Sequence, residues 1–79
     1  MFITFKLNAN GTLSNKEHLN NINEVNEWTD QAYYTWGFAT IVVLHVEKNV
    51  ACIATDNGEN YETIKKDYFD NLFPNVVLK

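Results

Sequence analysis

The two side chains best suited to chemistry in this 79-residue chain are His45 and Cys52. A thiolate beside an imidazole can serve as nucleophile and base. Both fall within residues 39–55, the densest apolar run, which is rich in the β-branched residues that suit a pleated, packed surface. Glu47-Lys48-Asn49-Val50 interrupts the run, and a two-residue turn at Lys48-Asn49 makes it a hairpin. On that turn His45 faces Cys52 directly across the two strands. No third group is in place to orient the imidazole, and no glycine-rich loop is in place to stabilise an oxyanion. The simpler reading is a half-buried His beside a small buried thiol, because free Cys is most often core. Cys52 is therefore expected to be structural, with a raised pKa and slow alkylation.

Other chemistries fare no better. His18 and His45 are the only histidines, and their spacing matches no metal motif. Asp56, Glu59 and Glu62 cluster around Asn57-Gly58, but a calcium loop needs a fuller Asp/Asn series and a distal Glu. A solvated turn with acidic residues at a helix N-terminus accounts for them. Gly11, Gly37 and Gly58 stand alone, so no phosphate-cradling loop is built. No catalytic residue, metal or cofactor is expected, and the chain reads as a non-enzyme.

Composition narrows the partners. The net charge is −4, and all six basic residues are Lys. Without Arg the chain lacks the usual bidentate reader of phosphate and guanine, so direct nucleic-acid binding is not expected. A protein partner with a basic surface is electrostatically favoured. A single cysteine cannot close an internal disulfide, which points to a reducing, cytoplasmic setting. No secretory signal is read at the start, and the apolar run at 39–46 is far too short to span a membrane as a helix. A chain of this length is one domain, 1–79, burying about 60% of its unfolded surface. With a hydrophobic fraction of 46%, it has enough apolar material for a compact core.

The elements that must position these residues follow from periodicity. Met1, Ile3, Phe5 and Leu7 alternate with Phe2, Thr4, Lys6 and Asn8, which predicts a strand over 1–8. Asn8-Ala9-Asn10-Gly11 ends it in a turn. Ser14-Asn15-Lys16-Glu17 matches a capping box and predicts a helix over 15–36. Leu19, Ile22, Thr29, Tyr33 and Trp36 lie on its inner face, Val25 and Ala32 sit at the margin, and Gly37 ends it. Strands at 38–47 and 50–56 form the hairpin. Tyr61, Ile64, Tyr68, Phe69, Leu72 and Phe73 recur with helical period over 60–73, and Pro74 stops them. Val76, Val77 and Leu78 predict a last strand over 75–79.

The order β-α-β-β-α-β resembles the ferredoxin-like arrangement. That is a two-layer α+β sandwich with a four-stranded antiparallel sheet, strand order 4-1-3-2, and both helices on one face. The resemblance covers the whole chain and concerns the fold alone, which hosts many functions. Three proteins of this layout mark what is missing. Acylphosphatases need an Arg, metallochaperone domains carry Cys-x-x-Cys, and RNA-recognition motifs carry aromatics on both central strands. This chain has no Arg and no Cys-x-x-Cys, and residues 50–55 contain no aromatic.

Two surfaces stand out. On a continuous helix Trp28 and Tyr34 flank an outer face that carries Glu24, Glu27 and Gln31, the composition of an interface hot spot with a charged rim. Packing all these rings inward, with a kink near Asp30, is the competing arrangement. The second surface is the sheet face opposite the helices. It presents Phe2, Ile41, Val43, His45 and Cys52, and is expected to stay open for homodimerisation or partner docking. The expected function is a small acidic protein-binding module, an inhibitor or regulator of a larger protein of the kind encoded by phages and mobile elements. Anti-defence inhibitors, including anti-CRISPR proteins, and immunity proteins share this size and acidity. The alternative is a homo-oligomeric small-molecule-binding regulatory domain resembling the ACT type, against which the glycine-poor loops count.

Overall fold

The computed structural model describes residues 1–37, 39–55 and 60–74. The strand expected at 75–79 and the Asp56-to-Glu59 turn lie outside the described residues. Among the described residues the chain is α+β, with two helices and a five-stranded antiparallel sheet. The elements are β1 (Phe2–Leu7), β2 (Leu13–Leu19), α1 (Ile22–Trp36), β3 (Thr40–His45), β4 (Val50–Thr55), β5 (Asn60–Lys65) and α2 (Lys66–Leu72). The strand order is β2-β1-β3-β4-β5. The four-stranded ferredoxin-like layout is therefore corrected. β1 pairs with Thr40–His45 where the expected strand order placed 50–56 beside it, and its other neighbour is β2.

The first departure is at the turn after β1. Gly11, at φ +84°, and the bonds Gly11 N–H to Asn8 O (3.0 Å) and Asn8 N–H to Thr12 O (2.8 Å) reverse the chain tightly. Residues 13–19 then pair with β1 instead of starting a helix. Ser14 and Glu17 sit in the strand, so their capping pattern goes unused. The cap forms seven residues later, about two helical turns: Glu24 N–H donates to Asn21 Oδ1 (3.0 Å), and the Glu24 carboxylate accepts from Asn20 N–H (2.5 Å). Gly37, at φ +68°, closes the helix as expected, its N–H bonding to Tyr33 O at 2.8 Å.

β2 carries an irregularity that its two leucines require. Thr4 pairs with Glu17 but Lys6 pairs with Ser14, so β2 holds one extra residue there. Asn15 absorbs it at φ +57°, a conformation Asn tolerates. Leu13 and Leu19 are an even number of residues apart and in a regular strand would share a face. With the bulge, Leu13 joins the core on one face of the sheet and Leu19 the core on the other.

The sheet has a helix on each face. Ile3, Phe5, Val42, Leu44 and Ala51 pack with Phe69 of α2. Ile41 and Ala54, pointing the opposite way, pack with Trp28 and Ala32 of α1. The expectation of both helices on one face is thus overturned, and the reason is local. The segment 60–73 splits. Tyr61, Thr63 and Ile64 have the side chains that strands favour, and Asn60–Lys65 extends the sheet beside β4. Lys66–Leu72 alone is helical and turns Phe69, which is fully buried, under the opposite face. Among the described residues no helix is long and apolar enough to cross a membrane.

Candidate functional site

The hairpin register decides what His45 and Cys52 can do. The connection between β3 and β4 takes four residues, 46–49, with Asn49 N–H bonded to Val46 O at 3.2 Å and Asn49 at φ +54°. The two-residue turn is therefore corrected, and the pairing shifts by two positions. Cys52 lies opposite Val43, and His45 lies opposite Val50. A shift of two keeps both residues on one face but makes them diagonal neighbours. His45 instead stacks on Phe2, with ring centroids 4.4 Å apart and 23° between planes. Its Nε2 lies 3.6 Å from a Glu47 carboxylate oxygen. The other Glu47 oxygen meets the Met1 amino group, and that hydrogen bond lowers the Glu47 pKa. Burial pushes the Cys52 thiol up, with a hydrogen bond to Thr63 opposing it in part. That is the setting of a protonated thiol, poorly suited to attack.

Phe2, Ile41, Val43, His45 and Cys52 share the α1 face of the sheet, because Ile41, Val43 and His45 alternate along β3, Phe2 pairs with His45 and Cys52 pairs with Val43. That face is not left open, as had been expected. α1 covers the end at Ile41 and Ala54 through Trp28 and Ala32. Beyond that cover, the helix and the sheet leave a cleft of about 360 Å³. All five residues line it, and Ile22, Val25 and Thr29 of α1 stand over them. Tyr61 and Thr63 of β5 close the far side. The Thr29 hydroxyl donates to Val25 O at 2.9 Å, so its polarity is turned away. Among the described residues no group of three or more His, Cys, Asp or Glu could hold a metal ion.

The second surface lies along the flank of α1. Val25, Trp28, Ala32 and Trp36 form its inner face, with successive spacings of three, four and four. This is rotated by about 60° from the expected face, taking 100° per residue. Trp28 is consequently only 9% exposed and packs edge-on to Trp36 at 6.2 Å. The outward Trp28 anchor is corrected: the ring is core. Tyr33 swings to the edge and Tyr34 stands 81% exposed, with their rings 5.6 Å apart. Glu24, Glu27, Asp30 and Gln31 line a groove of about 480 Å³, with Trp28 and Leu19 also in its wall. The structure thus brings four of the five expected helix residues to one groove and leaves Tyr34 beside it. Glu24 is already committed to the cap, so Glu27 and Asp30 supply the exposed carboxylates.

The lining residues not expected as site residues are Leu19, Ile22, Val25, Thr29, Asp30, Val50, Ala54, Tyr61 and Thr63. The Asn21-to-Glu24 spacing was the available signal, since it places the helix start at Ile22 and hence its true inner face. Comparison with protein-family models, curated proteins and solved structures finds no match for this chain.

Proposed function

We propose that this chain is a small acidic, non-enzymatic protein-binding module that inhibits or regulates a larger protein through the flank of α1. The observation that carries the reading is the groove in which Glu27 and Asp30 stand beside Trp28 and Leu19. A basic side chain entering it meets carboxylates at its head and apolar surface along its stem. The edge of the buried Trp28 ring contributes to the apolar wall along that stem. Tyr34, on the next turn, offers a rigid amphipathic contact outside the groove. The net charge of −4 favours encounter with a basic surface and repels acidic competitors. Small size and acidity, shared with anti-defence and immunity proteins, support the inhibitor reading.

The test is capture of a partner from source-cell lysate by the immobilised chain, repeated with Glu27→Lys/Asp30→Lys. Both positions are exposed, so the double variant keeps its fold, which circular dichroism checks. The expected result is a partner held by the parent chain, released by added salt, and bound at least about tenfold more weakly by the variant, as for charge pairs at a rim. Equal capture by parent and variant would overturn the reading.

A further inference from the structure

We infer that the cleft between α1 and the sheet is a binding site for a small, uncharged aromatic molecule. This goes beyond the protein-binding reading and does not rest on it. The form of the cleft is the first argument. It has two walls, helix and sheet, and a volume of about 360 Å³, within the range of small-molecule sites. The chemistry of the lining is the second. Among the described residues no Lys, Asp or Glu lines it, so a charged ligand would lose water and gain no counter-charge. Its threonine hydroxyls are already engaged, Thr29 with Val25 O and Thr63 with Cys52, which leaves the Tyr61 hydroxyl and the His45 ring nitrogens as its other polar side-chain groups. A ligand with several polar groups would leave most of them unpaired. The third argument is the placement of rings. Phe2 and His45 stack at the β1–β3 end, and Tyr61 lies across β4 on β5. The stacked Phe2 and His45 rings favour a flat ring laid against that end, and Tyr61, 70% exposed, edges the other end.

Cys52 makes the site testable, because it is the chain's single cysteine and it lines the cleft. The probe is indole, with indole-3-acetate as its charged counterpart. Amide shifts and the rate of Cys52 alkylation by iodoacetamide are followed together. Indole is expected to saturate shifts confined to Val43, Cys52, Ala54 and Thr63. At about twice its dissociation constant it should slow alkylation about threefold, because only about a third of sites remain open. Indole-3-acetate should bind at least about tenfold more weakly, the cost of bringing a carboxylate to an uncharged lining. Ile22→Asp gives an independent check. Ile22 is 56% exposed and opens α1, where a carboxylate suits the helix dipole, so the variant folds while its charge weakens indole binding. Three results would overturn the inference. One is indole shifts that fail to saturate or that spread over the molecule, and another is unchanged alkylation at saturating indole. The third is a sedimentation mass of two chains whose dissociation alone moves the same amides, which would give the cleft to a second copy.

Discussion

The two faces of the sheet are built from the same strands and close to different degrees. On the α2 face Ile3, Val42, Ala51 and Phe69 are fully buried and Leu44 is 1% exposed. On the α1 face the core residues Trp28, Ala32, Ile41 and Ala54 keep 5–9% exposure, and Val43 and Cys52 are only half-buried. α2 is short, but it drives one large ring into the middle of its face, with Phe73 tilted against that ring at 5.1 Å. α1 is twice as long yet covers its face from one end, because it must carry the chain from β2 over β1 to β3. A face with a fully buried centre contributes stability even where Ile53 and Ile64 at its margin stay half-buried; a face covered from one end leaves a concave surface. The candidate sites therefore belong to α1, and the hydrophobic anchor belongs to α2.

The most direct way to break this contrast is to remove the large ring from each face in turn. Phe69→Ala deletes the fully buried centre of the α2 face, and about 3–5 kcal/mol of stability should go with it. In a domain of this size that approaches the whole folding free energy, so the expected melt is largely lost. Trp28→Ala should cost about 3 kcal/mol, the low end for an aromatic truncation, because its ring also borders the surface groove. A folded remnant is expected, with its groove wall gone. If thermal melts put Trp28→Ala as the more damaging change, the assignment of anchor and cover is reversed.

How much of this could be read beforehand depends on which signals were local. β1, the β3–β4 hairpin and the Gly37 stop rest on alternation, β-branched density and a positive φ, and these act within a few residues. β2 and β5 were not legible, because Leu13–Leu19 and Asn60–Lys65 each carry a passable helical pattern. Their strand character is supplied by the neighbours they pair with, β1 and β4. Misplacing the start of α1 then rotated its predicted face, turning Trp28 outward and Tyr33 inward. The shared face of Phe2, Ile41, Val43, His45 and Cys52 survived those errors because strand parity does not depend on loop length in steps of two. The cleft above them was not legible at all, since it depends on which face α1 takes.

A smaller effect sharpens the contrast from within the α1 face. Thr4 points to that side of β1 and is fully buried, and its hydroxyl has no hydrogen-bond partner among the described residues. An unpaired buried hydroxyl is destabilising, and replacing it with a methyl of the same shape removes the desolvation cost. Thr4→Val should therefore raise stability by about 1 kcal/mol, read as a higher denaturant midpoint with unchanged slope. A loss of stability on this substitution would mean that the hydroxyl is satisfied and that the α1 face is as well resolved as the α2 face.

The smallest effect concerns Cys52 and its dependence on pH. Burial raises the thiol pKa in the folded chain, so the folded state holds its proton more tightly than the unfolded state, whose thiol titrates near about 8.5. The sign follows from linkage: the contribution to stability is fully present below that unfolded value and is lost as pH rises through the folded one. As pH rises above about 8.5 the parent chain should lose stability faster than Cys52→Ala, whose own cavity cost is independent of pH. Chemical denaturation of both chains at a series of pH values measures the difference. Parallel curves across that range would mean that the thiolate is tolerated in the cleft. In that case the lining is more polar than its residues indicate, and the two faces differ less in character than in closure.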